Sequence, residues 1–181
     1  LAERVYLAPS GYSTAGPTDA YVYWAKTFNA GIGSVVPVSP EPGKVDVYVL
    51  MTDGSMPGEE LLQELQDYLT EERIRPMTDL VTVKKPEAVE FSIDLTYYIN
   101  RSDQAKAVTI QENVKKAVAE YTTWQTSEIG RDINPDELVQ RIKAAGAKRV
   151  KLTAPTFAVV GETQVAKCTA SAADNGGLED D

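Results

Sequence analysis

Between Val89 and Ile99 the chain alternates without a fault. Val89, Phe91, Ile93, Leu95, Tyr97 and Ile99 are separated by Glu90, Ser92, Asp94, Thr96 and Tyr98. A run of period two fits a strand with one buried and one wetted face, and it does not fit a helix, whose period is 3.6. Asn100, Arg101, Ser102 and Asp103 break the alternation, and Ser102 or Asp103 is the expected cap of a helix. Ala107, Ile110, Val114, Ala117, Val118, Tyr121 and Trp124 then keep helical spacing, which predicts the longest element of the chain. This strand, predicted over 87–99, and its helix form the joint between two halves.

The first half, residues 1–86, opens with a polar stretch, Leu1–Ser13. Thr14 or Gly16 is placed to cap a helix over 17–29, and Pro17 suits its first turn. Tyr21, Trp24, Ala25 and Phe28 share one helical face, and packing is the reading taken for that stripe. Ser34–Ser39 and Lys44–Met51 read as a β-hairpin about the turn Pro40–Gly43. Leu61, Leu62, Leu65, Tyr68 and Leu69 predict an amphipathic helix over 57–72, followed after Arg73 by a strand over 80–85.

The second half, residues 87–170, continues after the long helix with Asn134 and Pro135, a cap and an N1 proline. Leu138, Val139, Ile142 and Ala145 predict a short helix that Gly146 ends. Strands are expected over 147–155, with Val150 and Leu152 inward, and over 161–169. Residues 171–181 are small, glycine-containing and acidic, and are expected to be a flexible tail. The order α-β-β-α-β, then β-α-α-β-β, predicts an α+β fold of two small mixed α/β sandwich-like units.

Of 181 residues, 43% are hydrophobic and 25% charged, which is enough to build a core. The formal net charge of -9 argues against a general nucleic-acid or anionic-membrane binder. No apolar run approaches the ~20 residues that cross a bilayer, so no membrane insertion is expected. The single cysteine, Cys168, excludes an intramolecular disulfide. The chain has no histidine, which removes Ser-His-Asp, Cys-His and His-ligated metal chemistry together. Leu1 stands where an initiating Met is expected, so the native protein is expected to be longer.

No catalytic constellation emerges. Gly31 and Gly33 lack the third glycine and following helix of a phosphate loop. Glu59, Glu60, Glu64 and Asp67 form a carboxylate row that reads as a solvated helix face. Glu128, Asp132 and Asp136 are the acids an enzyme reading would use, though capping explains them better. Residues 174–181 lack the ligand spacing of a calcium loop. No enzyme activity, cofactor or metal is therefore expected. Two surface features are candidates for protein contact: Asp94, Thr96 and Tyr98 on the wetted face of the long strand, and a basic cluster of Lys143, Lys148, Arg149 and Lys151. A non-enzymatic regulatory or small-ligand-binding α+β module is the alternative, and it calls for a closed pocket with convergent polar groups.

Three stretches together carry a family resemblance. The first runs from Arg4 to Lys26 and contains Leu7, Ala8, Pro9, Ala15, Gly16, Pro17, Ala20, Tyr21, Tyr23, Trp24 and Ala25. The second is Val36, Val38, Ser39, Pro40, Pro42 and Gly43, followed by Val45, Val47, Val49 and Leu50. The third is Gly130, Arg131, Asp132 and Ile133, then Leu138, Val139, Ile142, Gly146, Val150, Leu152 and Pro155. In order and spacing these resemble the C-terminal part of the baseplate J-like proteins of contractile-tailed bacteriophages and prophages. The resemblance implies a structural wedge component of the tail baseplate, assembled in the bacterial host cytoplasm. It implies contacts with other tail proteins and with copies of itself around the tail axis, and a part in contractile injection. It brings no catalytic residues.

Overall fold

The computed structural model describes residues 18–71 and 79–180. The polar start, the caps at Thr14, Gly16 and Pro17, and the linker from Arg73 lie outside the described residues. The chain divides into two compact units, Leu1–Glu87 with Ser127–Ile129, and Ala88–Thr126 with Gly130–Asp181.

In the first unit helix α1 (Thr18–Phe28) leads into strands β1 (Ile32–Glu41) and β2 (Lys44–Met51). The two strands pair antiparallel, with Val35 opposite Val49 and Glu41 opposite Lys44. The hairpin turn is thus tighter than the sequence predicts, two residues rather than four. Pro42 sets φ at its first position, and Gly43 takes φ +78° at the second. Helix α2 (Glu59–Leu69) then crosses over to β3 (Leu80–Lys84), which lies parallel to β2. A parallel neighbour requires such a crossover, because a tight turn reverses the chain. Tyr21, Ala25, Val47, Val49, Leu62, Leu65, Leu69 and Val81 close the core of this unit. Gln66 extends the order to the sheet edge: its amide donates to the Val81 carbonyl and accepts from the Val83 N–H, both at 2.7 Å.

The second unit is built on β4 (Glu87–Asn100), the middle strand of the sheet β5-β4-β6. Phe91, Ile93, Leu95, Tyr97 and Ile99 are buried, as the alternation predicts. The cap after β4 is neither Ser102 nor Asp103. The side chain of Asn100 accepts from the Ser102 N–H, and a 3-10 helix, Arg101–Lys106, precedes α3 (Ala107–Thr126). Ile110, Val114, Ala117, Val118 and Tyr121 of α3 face the core. Helix α4 (Pro135–Ala144) begins with the expected cap, Asn134 Oδ1 accepting from the Asp136 N–H at 3.0 Å. It ends in a Schellman motif: the Gly146 N–H donates to the Lys143 carbonyl and the Ala147 N–H to that of Ile142. Those bonds consume Ala147, so β5 (Arg149–Ala154) starts two residues later than the sequence predicts. β5 runs antiparallel to β4, with Val150 and Leu152 packed against the core.

The last strand differs most from expectation. β6 is Gln164–Glu179, because Gly161 to Gln164 close a turn first and the segment expected to be a flexible tail is paired strand. Small side chains and glycines read locally as a tail. They pair here because a long neighbouring strand supplies their backbone partners. β6 advances beside β4 in the same direction: the Thr169 hydroxyl reaches the Phe91 carbonyl, and Gly176 lies against Thr96 and Tyr98.

Candidate interface

Strand register brings most of the predicted surface residues onto one sheet face. Thr96 pairs with Lys151 and Tyr98 with Arg149, and directly opposed residues in an antiparallel pair point to the same side. The outward residues of β4 and the basic residues of β5 were separate features in the sequence, and here they form one patch. Asp94 pairs with Ala154 beyond a register shift at the exposed end of the patch. Lys148 enters through its backbone, donating its N–H to the Tyr98 carbonyl at 2.9 Å. Lys143 stands apart, in the last turn of α4, where a cation complements the helix dipole.

The patch is not uniformly open. The Arg149 guanidinium lies 3.9 Å from the centroid of the Tyr98 ring. On the β6 side Gly176 has its backbone against the same ring, where an added Cβ would sit 2.4 Å from Tyr98 Cε1. Tyr98 is on the outer face, where the alternation places it, and is half-buried between Arg149 and Gly176. Asp94 and Lys151 are exposed, and Thr96, like Tyr98, is half-buried.

The basic cluster meets acids of β6. Arg149 forms a two-pronged pair with Glu179, its Nε at 3.0 Å from Oε2 and its Nη2 on Oε1. Lys148 Nζ donates to the Asp180 carbonyl, and Arg101 Nε lies 2.5 Å from Asp180 Oδ1. The hydrogen bond with Arg149 pulls the Glu179 carboxyl below its ordinary range and raises the guanidinium in turn. The sequence held a signal for this pairing, an acidic end and a basic strand of the same unit, and a local reading missed it.

Two further side-chain arrangements were not predicted from the sequence. Gln125 is fully buried on α3. Its Nε2 donates to the carbonyls of Arg131 and Asp132 at 3.3 and 3.0 Å, and its Oε1 accepts from the Asn134 N–H and the Tyr121 hydroxyl at 3.2 and 3.3 Å. One amide thus holds the loop 131–134. Burial pushes the Tyr121 phenol up to about 12. Trp124 carries two guanidiniums near its ring, Arg131 at 4.3 Å and Arg141 at 5.5 Å. Arg131 also donates to the Trp124 carbonyl, and burial followed by the nearby Arg141 charge lowers its pKa. The signal for Gln125 was its place four residues after Tyr121 on the apolar face of the helix.

Two of the three acids that an enzyme reading would enlist, Asp132 and Asp136, have local work. Asp132 Oδ1 accepts from the Val160 N–H at 2.9 Å, and Asp136 opens α4. Among the described residues no group of three or more Cys, Asp or Glu is placed to hold a metal ion. No described helix is long and apolar enough to cross a membrane.

Two models of one family match this chain in order. The Baseplate J-like central domain matches residues 13–85, and the Baseplate J-like protein C-terminal domain matches residues 91–170. The chain belongs to the baseplate J-like family. Baseplate protein J of Escherichia phage P2 is 31% identical over 179 residues, which are 98% of this chain and 58% of that protein. A chain in the cryo-EM structure of the anti-feeding prophage baseplate, six-fold symmetrised, resembles this one with a TM-score of 0.55 at 11% identity. That match covers 88% of this chain and 37% of the other, and it bears on the fold alone. The chain thus spans less than two thirds of the relatives it matches.

Proposed function

We propose that this baseplate J-like chain is a structural, non-enzymatic part of a phage tail baseplate, located in the virion tail. The observation that carries the reading is the succession of two family domains across most of the chain, joined by 31% identity to a phage baseplate protein. At a finer level the protein is a wedge component. It assembles in the host cytoplasm with other tail proteins, repeats as copies around the tail axis, and takes part in contractile injection. The two halves, divided at residues 86 and 87, act as separate domains of that wedge. Asp94, Thr96 and Lys151 form the contact of the second domain with a neighbour. They lie on the outer sheet face, and they mix charge with polar surface as protein interfaces do.

The test is co-purification. The tagged full-length protein, expressed with the products of its adjacent genes, is expected to pull down tail proteins. An Asp94→Lys, Lys151→Glu double variant is expected to lose one of them while keeping its circular dichroism spectrum. Neighbouring genes that encode metabolic enzymes, or no tail protein in the pull-down, would overturn the baseplate reading. Retention of every partner by the folded double variant would overturn the contact assignment.

A further inference from the structure

We propose that residues 170–179 of β6 are a detachable strap, held to the second unit by charge pairs rather than by apolar burial. The strand changes character along its length. Val165 and Ala166 are buried, whereas no described residue beyond Ala166 is. Ala173 and Leu178 reach the core only in part, and the rest of the segment is Ala, Ser, Asp, Asn, Gly and Glu with little apolar area. β4 beside it buries every second residue from Phe91 to Ile99. Apart from backbone pairing, the far end of the strap is fastened by the ion pair Arg149–Glu179 and, one residue beyond it, by the ion pair Arg101–Asp180 and a hydrogen bond from Lys148 Nζ to the Asp180 carbonyl. Both ion pairs are reached by solvent, Arg101 and Asp180 at 57% and 72% side-chain exposure and Arg149 and Glu179 at 49% and 28%.

Exposed ion pairs are weakened by salt, while helix packing on an apolar core is not. The strap therefore has its own opening equilibrium, more salt-sensitive than that of α3 or β5. Opening it uncovers Tyr98 and bares one backbone edge of β4, the other edge being held by β5. A bared strand edge takes an extended backbone, so the released unit is poised to accept a strand. This inference rests on the second unit alone and is independent of the baseplate reading.

Hydrogen exchange by mass spectrometry on the full chain tests it. Between 0.1 and 1 M NaCl the Debye length falls from about 10 to about 3 Å. Peptides covering 170–179 are expected to exchange at least about threefold faster at the higher salt, with peptides of α3 unchanged. A Glu179→Gln, Asp180→Asn variant is expected to exchange fast already at low salt and to lose most of the salt response, α3 again reporting that the unit is folded. Strap peptides as protected as α3 under both salts would overturn the proposal. So would a salt response that survives undiminished in the double variant.

Discussion

Replacing Gln125 by Leu removes the amide but keeps most of the volume, so the loss measures hydrogen bonding rather than a cavity. Four partners lose their bond: the carbonyls of Arg131 and Asp132, the Asn134 N–H and the Tyr121 hydroxyl. A buried polar group left unpaired costs about 1–3 kcal/mol. The phenol can rotate to another partner and the carbonyls can relax toward water. Taking about 1 kcal/mol for each of the three backbone groups gives about 3 kcal/mol. The added apolar burial of leucine offsets about 1 kcal/mol of that, leaving a net loss of about 2 kcal/mol or more. The assay is a urea titration followed by Trp124 fluorescence, in a Trp24→Phe background so that only the second unit reports. The midpoint is expected to fall with the slope unchanged. A loss below about 0.5 kcal/mol would refute the reasoning, because that is the range of ordinary surface substitutions. Gln125→Glu sharpens the test: its carboxylate faces two carbonyls, so its folded-state pKa is raised and the variant should regain stability as pH falls toward 4.

Three other outcomes are expected. Gly176→Ala drives a methyl against both the Tyr98 ring and the Thr96 methyl. It should weaken the closure of β6 by about 1–3 kcal/mol, read by hydrogen exchange of its amides. Adding Tyr98→Ala should recover part of that loss, the Thr96 contact remaining, and an equal penalty in both backgrounds would rule out the ring contact. Asp94→Lys, at an exposed position, should leave thermal stability within about 0.5 kcal/mol of the parent, whereas unfolding would mean that the facing of β4 is inverted. Tyr121 should ionise near pH 12 in an absorbance titration. Because the folded state keeps that proton when the unfolded chain has lost it, stability should fall as pH rises from about 10 to 12.

The elements legible in the chain are those whose cause is local. The period of Val89–Ile99 chose a strand and its facing, since side chains alternate whatever the neighbours are. Asn134 with Pro135 and Gly146 marked the ends of α4 because caps satisfy backbone groups within a few residues. The family resemblance was legible for a related reason, as its residues sit at turns, caps and buried positions along the whole chain. Part of the candidate interface was legible too: Asp94 and Lys151 are exposed where the alternation placed them.

Partnership between distant segments was decided only in three dimensions. That β3 lies parallel to β2 follows from the α2 crossover, and no residue of β3 announces it. That 171–179 is strand depends on the unpaired edge of β4, which composition does not display. Tyr98 faces outward as the alternation places it, but only the register sets Arg149 beside it and only β6 sets Gly176 against it. In each case backbone geometry and side-chain period act over a few residues, while pairing is a contact between segments tens of residues apart. Sequence alone therefore determined the type and facing of the segments whose cause is local, and tertiary structure decided what each segment meets, including that 171–179 is strand rather than tail.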